Sequence, residues 1–122
     1  MSNATYRTGA LTFPIAQDVE KFTLVTVNGE GKIAPASAAG PVFGAITEPG
    51  SLDARDEGND VLAVSYGQNV VKIRTDEDIK PGAAVFAAEG GKAASTGTVQ
   101  VGVAYKTVGG LVQVVLSNCP NA

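Results

Sequence analysis

The sequence contains no histidine, no tryptophan and a single cysteine. Without histidine, the commonest general base and the commonest transition-metal ligand are both missing. Cys119 stands alone, so no intrachain disulfide can form, and no imidazole is present to pair with its thiolate. A reduced compartment such as a bacterial cytoplasm is the expected setting. Four Phe and three Tyr make up the aromatics, a thin supply for stacking on sugars. Nine Lys and Arg are scattered among twelve Asp and Glu, for a net charge of −3. No basic cluster exists to displace counterions from phosphates, so nucleic acid is not an expected partner. No stretch approaches the roughly 20 apolar residues that span a bilayer. The opening "MSNATYRTGALTFPIAQD" carries only Arg7 ahead of a broken apolar run, so neither a membrane span nor a signal peptide is expected.

The motifs that carry chemistry are also thin. No serine lies in a Gly-x-Ser-x-Gly setting, and "GEGK" and "EGGK" lack both the spacing and the Ser/Thr of a phosphate loop. The run "DARDEGND" (53–60) has carboxylates but not the alternating oxygen ligands, the distal glutamate or the flanking helices of a calcium loop. "DED" (76–78) has no second acid placed opposite it for glycoside chemistry. No enzyme activity, metal, cofactor or small-molecule substrate is expected.

Alanine, valine and glycine dominate what is there. At 122 residues the chain is long enough for one domain with its own core. Residues 1–17 lack strand or helix periodicity and read as an arm, with Tyr6, Leu11, Phe13 and Ile15 as isolated apolar points around Pro14. From residue 22, short β-type segments are bounded by glycine and proline: "FTLVTV" (22–27), "PVFGAI" (41–46), "VLAVSY" (61–66), "NVVKIRT" (69–75), "TVQVGVAYK" (98–106) and "LVQVVLS" (111–117). Asn28-Gly29 suits the positive φ angles of a tight hairpin, and Gly109-Gly110 joins the last two strands. Alternation directs Val71 and Ile73 inward, and sets Val99, Val101, Val103 and Tyr105 on one face. One helical turn fits "DEDIK" (76–80), ended by Pro81-Gly82. The loop 48–60, with five acids against Arg55, reads as solvated surface. The class is all-β, a sandwich or small barrel, with residues 18–122 as a single β domain behind the arm.

The chain also repeats itself. "DVEKFTLVTVNGEGKIAP" (18–35) lies over "DIKPGAAVFAAEGGKAAS" (78–95) without a gap, setting Asp18 on Asp78, Val25 on Val85, Gly31 on Gly91 and Lys32 on Lys92. Further on, "VFGAI" matches "QVGVA" and brings Gly44 onto Gly102, each inside a strand, where glycine marks a bulge or a close backbone approach. Two related hairpin-plus-strand units are expected.

This order of features, from "LVTVNGEGKIAPAS" through "DIKPGAAVFAAEGGKAAS" to "LVQVVLS", resembles the capsid decoration, or cement, proteins of tailed bacteriophages. The resemblance covers about residues 18–117. It departs from the pattern at Ala83, where aspartate is usual, and at Phe22 in the first copy. It implies a β-barrel or β-tulip-like domain that forms homotrimers. It also implies a virion protein, present in the host cytoplasm during assembly, whose partner is the major capsid protein on the outside of the expanded head. On this reading Tyr6, Leu11, Phe13, Pro14 and Ile15 are the capsid-binding residues of the arm, adding a strand to the shell protein. The alternative is a small β binding module of a phage tail, a spike or a bacterial surface assembly.

Overall fold

The computed structural model describes residues 10–53 and 60–121. These residues form ten strands: β1 Ala10–Pro14, β2 Thr23–Val27, β3 Ile33–Pro35, β4 Gly44–Ile46, β5 Val61–Ser65, β6 Val70–Arg74, β7 Ala84–Ala88, β8 Lys92–Ala94, β9 Gln100–Val108 and β10 Leu111–Leu116. Among the described residues the only helical element is a 3-10 turn at Glu89–Gly91. Acids at 76–78 do not start a helix. Thr75 Oγ1 accepts the Glu77 N–H instead, and the chain stays irregular until β7.

The strands form two antiparallel five-stranded sheets, ordered β1-β5-β4-β2-β3 and β6-β10-β9-β7-β8. The second order is the first with every strand advanced by five, so the duplication seen in the sequence is a duplication of topology. Matching irregularities confirm the equivalence. Ile15 makes an isolated parallel bridge to Ile33, and Thr75 makes the same bridge to Ala93, each pair sixty residues from its counterpart. That bridge brings the two edge strands of each unit together at one point. No continuous ladder closes either sheet into a barrel among the described residues.

Residues 10–15, read from the sequence as part of an arm, are the first strand of the first unit. β1 pairs with β5 from Ala10↔Ser65 to Pro14↔Val61 and stands where β6, the clear strand of "NVVKIRT", stands in the second unit. The strand is hard to see in sequence because proline and alanine occupy its outward positions.

Two apolar clusters hold the molecule. One belongs to the first unit and comprises Ile15, Val19, Val25, Ile33, Ile46, Leu62 and Val64. The other fills the second unit and also takes in Leu24, Ala36, Val42 and Ala45 from the first. Strand β2 is therefore buried on both faces, Val25 toward its own unit and Leu24 toward the other. Each such side chain, removed from water, stabilises the fold by about 1.5–3 kcal/mol. Backbone hydrogen bonds stitch the junction: Arg74 N–H to Phe22 O, Gly91 N–H to Ala36 O and Asn121 N–H to Val42 O.

Two local expectations change. The Asn28 turn does not use positive φ at Gly29; the left-handed residue is Gly31, with φ of 78°. Asn28 acts through its side chain, whose Oδ1 accepts the N–H groups of Glu30 and Lys32, an Asx turn. In β9, the pairing to β7 slips between Val85↔Gly102 and Phe86↔Gln100, leaving Val101 as a bulge residue. Val101 and Gly102 are both buried, after which Ala104 faces in while Val103 and Tyr105 face out. The single apolar face expected for this strand is thus split by the bulge.

Candidate interaction surfaces

The carboxylates at 76–78 are engaged locally at the surface. Asp76 pairs with Lys92 at 3.1 Å, Asp78 with Lys80 at 3.4 Å, and Glu77 accepts from Ser95 N and Oγ. Cys119 is buried, and that desolvation pushes its thiol pKa up to about 11. Among the described residues no group of three or more His, Cys, Asp or Glu could hold a metal ion. What distinguishes this molecule is its surface.

Of the residues assigned to capsid binding, Tyr6 lies outside the described residues. Ile15 is 3% exposed and belongs to the first unit's core, so it cannot serve as an anchor for a partner while the domain is folded. Leu11 and Phe13 are half-buried and Pro14 is exposed. The Phe13 ring meets Phe43 edge to face at 5.1 Å, and Phe43 lies 6.1 Å from Tyr66. These aromatics form a partly open shelf beside β1. β1 is an edge strand of its sheet, and an edge presents unpaired backbone groups to any strand that approaches.

A second surface was not legible in the sequence. It is the outer face of β6, β10 and β9. Val115 pairs with Val70 on one side and Val103 on the other, giving a row of three valines exposed by 42%, 61% and 37%. In the next row Gln113 lies between Lys72 and Lys106. Lys72, Lys106, Val108, Leu111 and Gln113 line a groove there. Tyr105 and Val108 are 58% and 63% exposed, with the Lys106 ammonium 5.6 Å from the centre of the Tyr105 ring.

The duplication supplies an internal control for this face. In the first unit the matching pairs are Ala10↔Ser65, Thr12↔Ala63 and Pro14↔Val61, all uncharged, with Val61 the one large exposed apolar side chain among them. The same topology folds with those residues, so Val70, Lys72 and Val115 of the second unit are not a requirement of the sheet. The signal that could have exposed them was the glycine within "TVQVGVAYK", a mark of the bulge that turns Val103 and Tyr105 outward.

No helix among the described residues is long and apolar enough to cross a membrane. No protein-family model matches the sequence, and no curated protein matches it. In architecture the chain is an all-β protein of two repeated five-stranded antiparallel sheets. It is similar to the crystal structure of the head fiber gp8.5 N base in bacteriophage phi29, with a TM-score of 0.67. The two sequences are 18% identical, and the match covers 93% of this chain and 97% of that one. The likeness is one of fold.

Proposed function

We propose that this chain is a structural capsid decoration, or cement, protein. It binds the outer surface of an expanded phage head as a homotrimer and ties neighbouring copies of the major capsid protein together. The observation that carries this reading is the fold shared, over nearly the whole of both chains, with the base of a phage head fiber. The sequence resemblance to decoration proteins points to the same location. Each unit is read as a small, incompletely closed barrel of the tulip kind, a rigid body that presents edges and faces instead of a reactive cleft.

Attachment then falls to the edge of β1. A strand of the shell protein adds to it through backbone hydrogen bonds, with Leu11, Phe13 and the outward Pro14 beside the contact and Tyr6 upstream of it. Ile15 holds the strand in place from within. Three copies per trimer make individually weak contacts effective, because the second and third contacts form at high local concentration.

A second reading, that the chain is the base of a fiber on the phage head, is favoured by the description of the structural neighbour. Cryo-electron microscopy of purified particles tests both. Compact density outside the shell, at capsomer junctions, supports decoration, and density continuing into a fiber supports the second reading. Particles without this polypeptide by mass spectrometry would overturn both.

A further inference from the structure

We infer that copies of this chain associate head to tail, the outer face of β6, β10 and β9 of one copy receiving the acidic end of the first unit of the next. The inference rests on the homotrimer proposed above and names its contact. Seven large apolar side chains are exposed among the described residues, and they fall in two groups. Val70, Val103, Val115, Tyr105 and Val108 lie on the second unit beside Lys72 and Lys106. Leu52 and Val61, 55% and 45% exposed, lie on the first. Scattered exposed apolar residues need no explanation, but a cluster on one face is the mark of a contact.

The charges divide in the same way. Among described residues up to Tyr66, six carboxylates stand against two lysines, a net −4; from Gly67 onward, four carboxylates stand against five cations, a net +1. Four of the six, Asp18, Glu48, Asp53 and Asp60, gather at the end that carries Leu52 and Val61, while Glu20 pairs with Arg74 of the second unit. Asp18 Oδ1 accepts the Leu52 N–H, Asp60 O accepts the Ile15 N–H and Val19 pairs with Gly50, which brings Glu48 within two residues of the same place. An apolar site edged by acids thus matches an apolar site edged by lysines, and both are on one chain.

This arrangement also sets the polarity of the contact. A two-fold dimer through the valine row with its axis along the strands would put lysine against lysine, and like charges facing one another across an interface are strongly unfavourable. A contact between two different faces has no such conflict, and it forms a ring where the rotation between successive copies closes.

The test is sedimentation velocity on the full chain at concentrations up to about 100 µM, where mass action favours association, at low and high salt. Lys72→Glu/Lys106→Glu and, separately, Glu48→Lys/Asp60→Lys are each expected to weaken association about tenfold or more. The fourfold variant, with both faces reversed, is expected to regain it. Circular dichroism confirms that each variant keeps its β signature. A monomer at every concentration, or an oligomer indifferent to both pairs of substitutions, overturns the inference. Binding to empty expanded heads is read separately by co-sedimentation. A chain that binds them as a monomer defeats the head-to-tail contact, and the homotrimer with it, but leaves the location on the head standing, whereas an oligomer that ignores heads does the reverse.

Discussion

Gly44 and Gly102 press against the same feature in the two units: a Cβ added to Gly44 would fall 2.1 Å from Ser65 O, and one added to Gly102 would fall 2.2 Å from Val115 O. In each case the neighbouring strand, β5 or β10, runs its backbone across the place a side chain would occupy. The obstacle is a carbonyl in a sheet, which cannot turn aside as a flexible side chain can. Gly44→Ala and Gly102→Ala are each expected to destabilise the fold by about 3 kcal/mol, the upper range for overpacking. Thermal denaturation of the two variants checks it. A loss in one unit only would show that the units are not equivalent at this contact.

Gly31 and Gly91 occupy matching turns, with φ of 78° and 73°, yet their surroundings differ. Nothing lies within 4 Å of a Cβ at Gly31, while one at Gly91 would meet Thr23 Cγ2 at 2.3 Å and Leu24 O at 2.4 Å. Gly31→Ala therefore carries only the left-handed penalty, about 1–2 kcal/mol. Gly91→Ala adds to that an overpacking cost of about 1–3 kcal/mol, because its turn is wedged against β2 of the other unit. Urea titration of the pair should separate the two costs, with the difference measuring how tightly the units are docked.

Much of this architecture was legible in the sequence. Val71 and Ile73 point inward as alternation required, Gly109 and Gly110 both take positive φ between paired strands, and the offset of sixty marks equivalent strands. What was not legible had local physical causes. A bulge reverses alternation without changing composition, so β9 hid its outward valine and tyrosine. At Phe22, where the second copy has Gly82, the chain holds the same left-handed conformation, φ 57° against 84°, with a residue that does not announce it. The equivalence of β1 and β6 was obscured because the repeat keeps the inward positions apolar, Leu11 and Phe13 for Val71 and Ile73, while its outward positions share nothing. Of the candidate site, the segment around β1 could be named from sequence. The valine row could not, because its members come from three strands and meet only through the register.

The placement of Ile15 separates an arm from a strand. An arm residue awaiting a partner can be truncated without harm to the free domain. A core residue 3% exposed, packed with Val19, Val25 and Ile33, cannot. Ile15→Ala is expected to lower stability by about 2–4 kcal/mol, measured on the isolated protein by chemical denaturation. Pro14→Ala, at an outward position, loses no core packing and should cost only the added freedom of the unfolded chain, about 0.4–1 kcal/mol.

Cys119 gives the fold a pH limit on the alkaline side. Its thiol ionises at about 11 in the folded chain, against an ordinary value of 9.0, because burial disfavours the thiolate. The folded state therefore holds the proton more tightly than the unfolded state. Stability from this group is complete below pH 9 and declines as pH rises toward 11, since only the unfolded chain can release the proton readily. Cys119→Ser replaces the thiol by a hydroxyl that does not ionise in this range. Unfolding free energies of the two proteins should therefore run parallel below pH 9 and converge above it. A thiol reagent at pH 8 should label the native protein no faster than it unfolds, because the reactive thiolate is scarce and enclosed. Rapid stoichiometric labelling of folded protein would show that the C-terminal segment opens readily and that its backbone link to the first unit, from Asn121 N–H to Val42 O, does not hold the two units together.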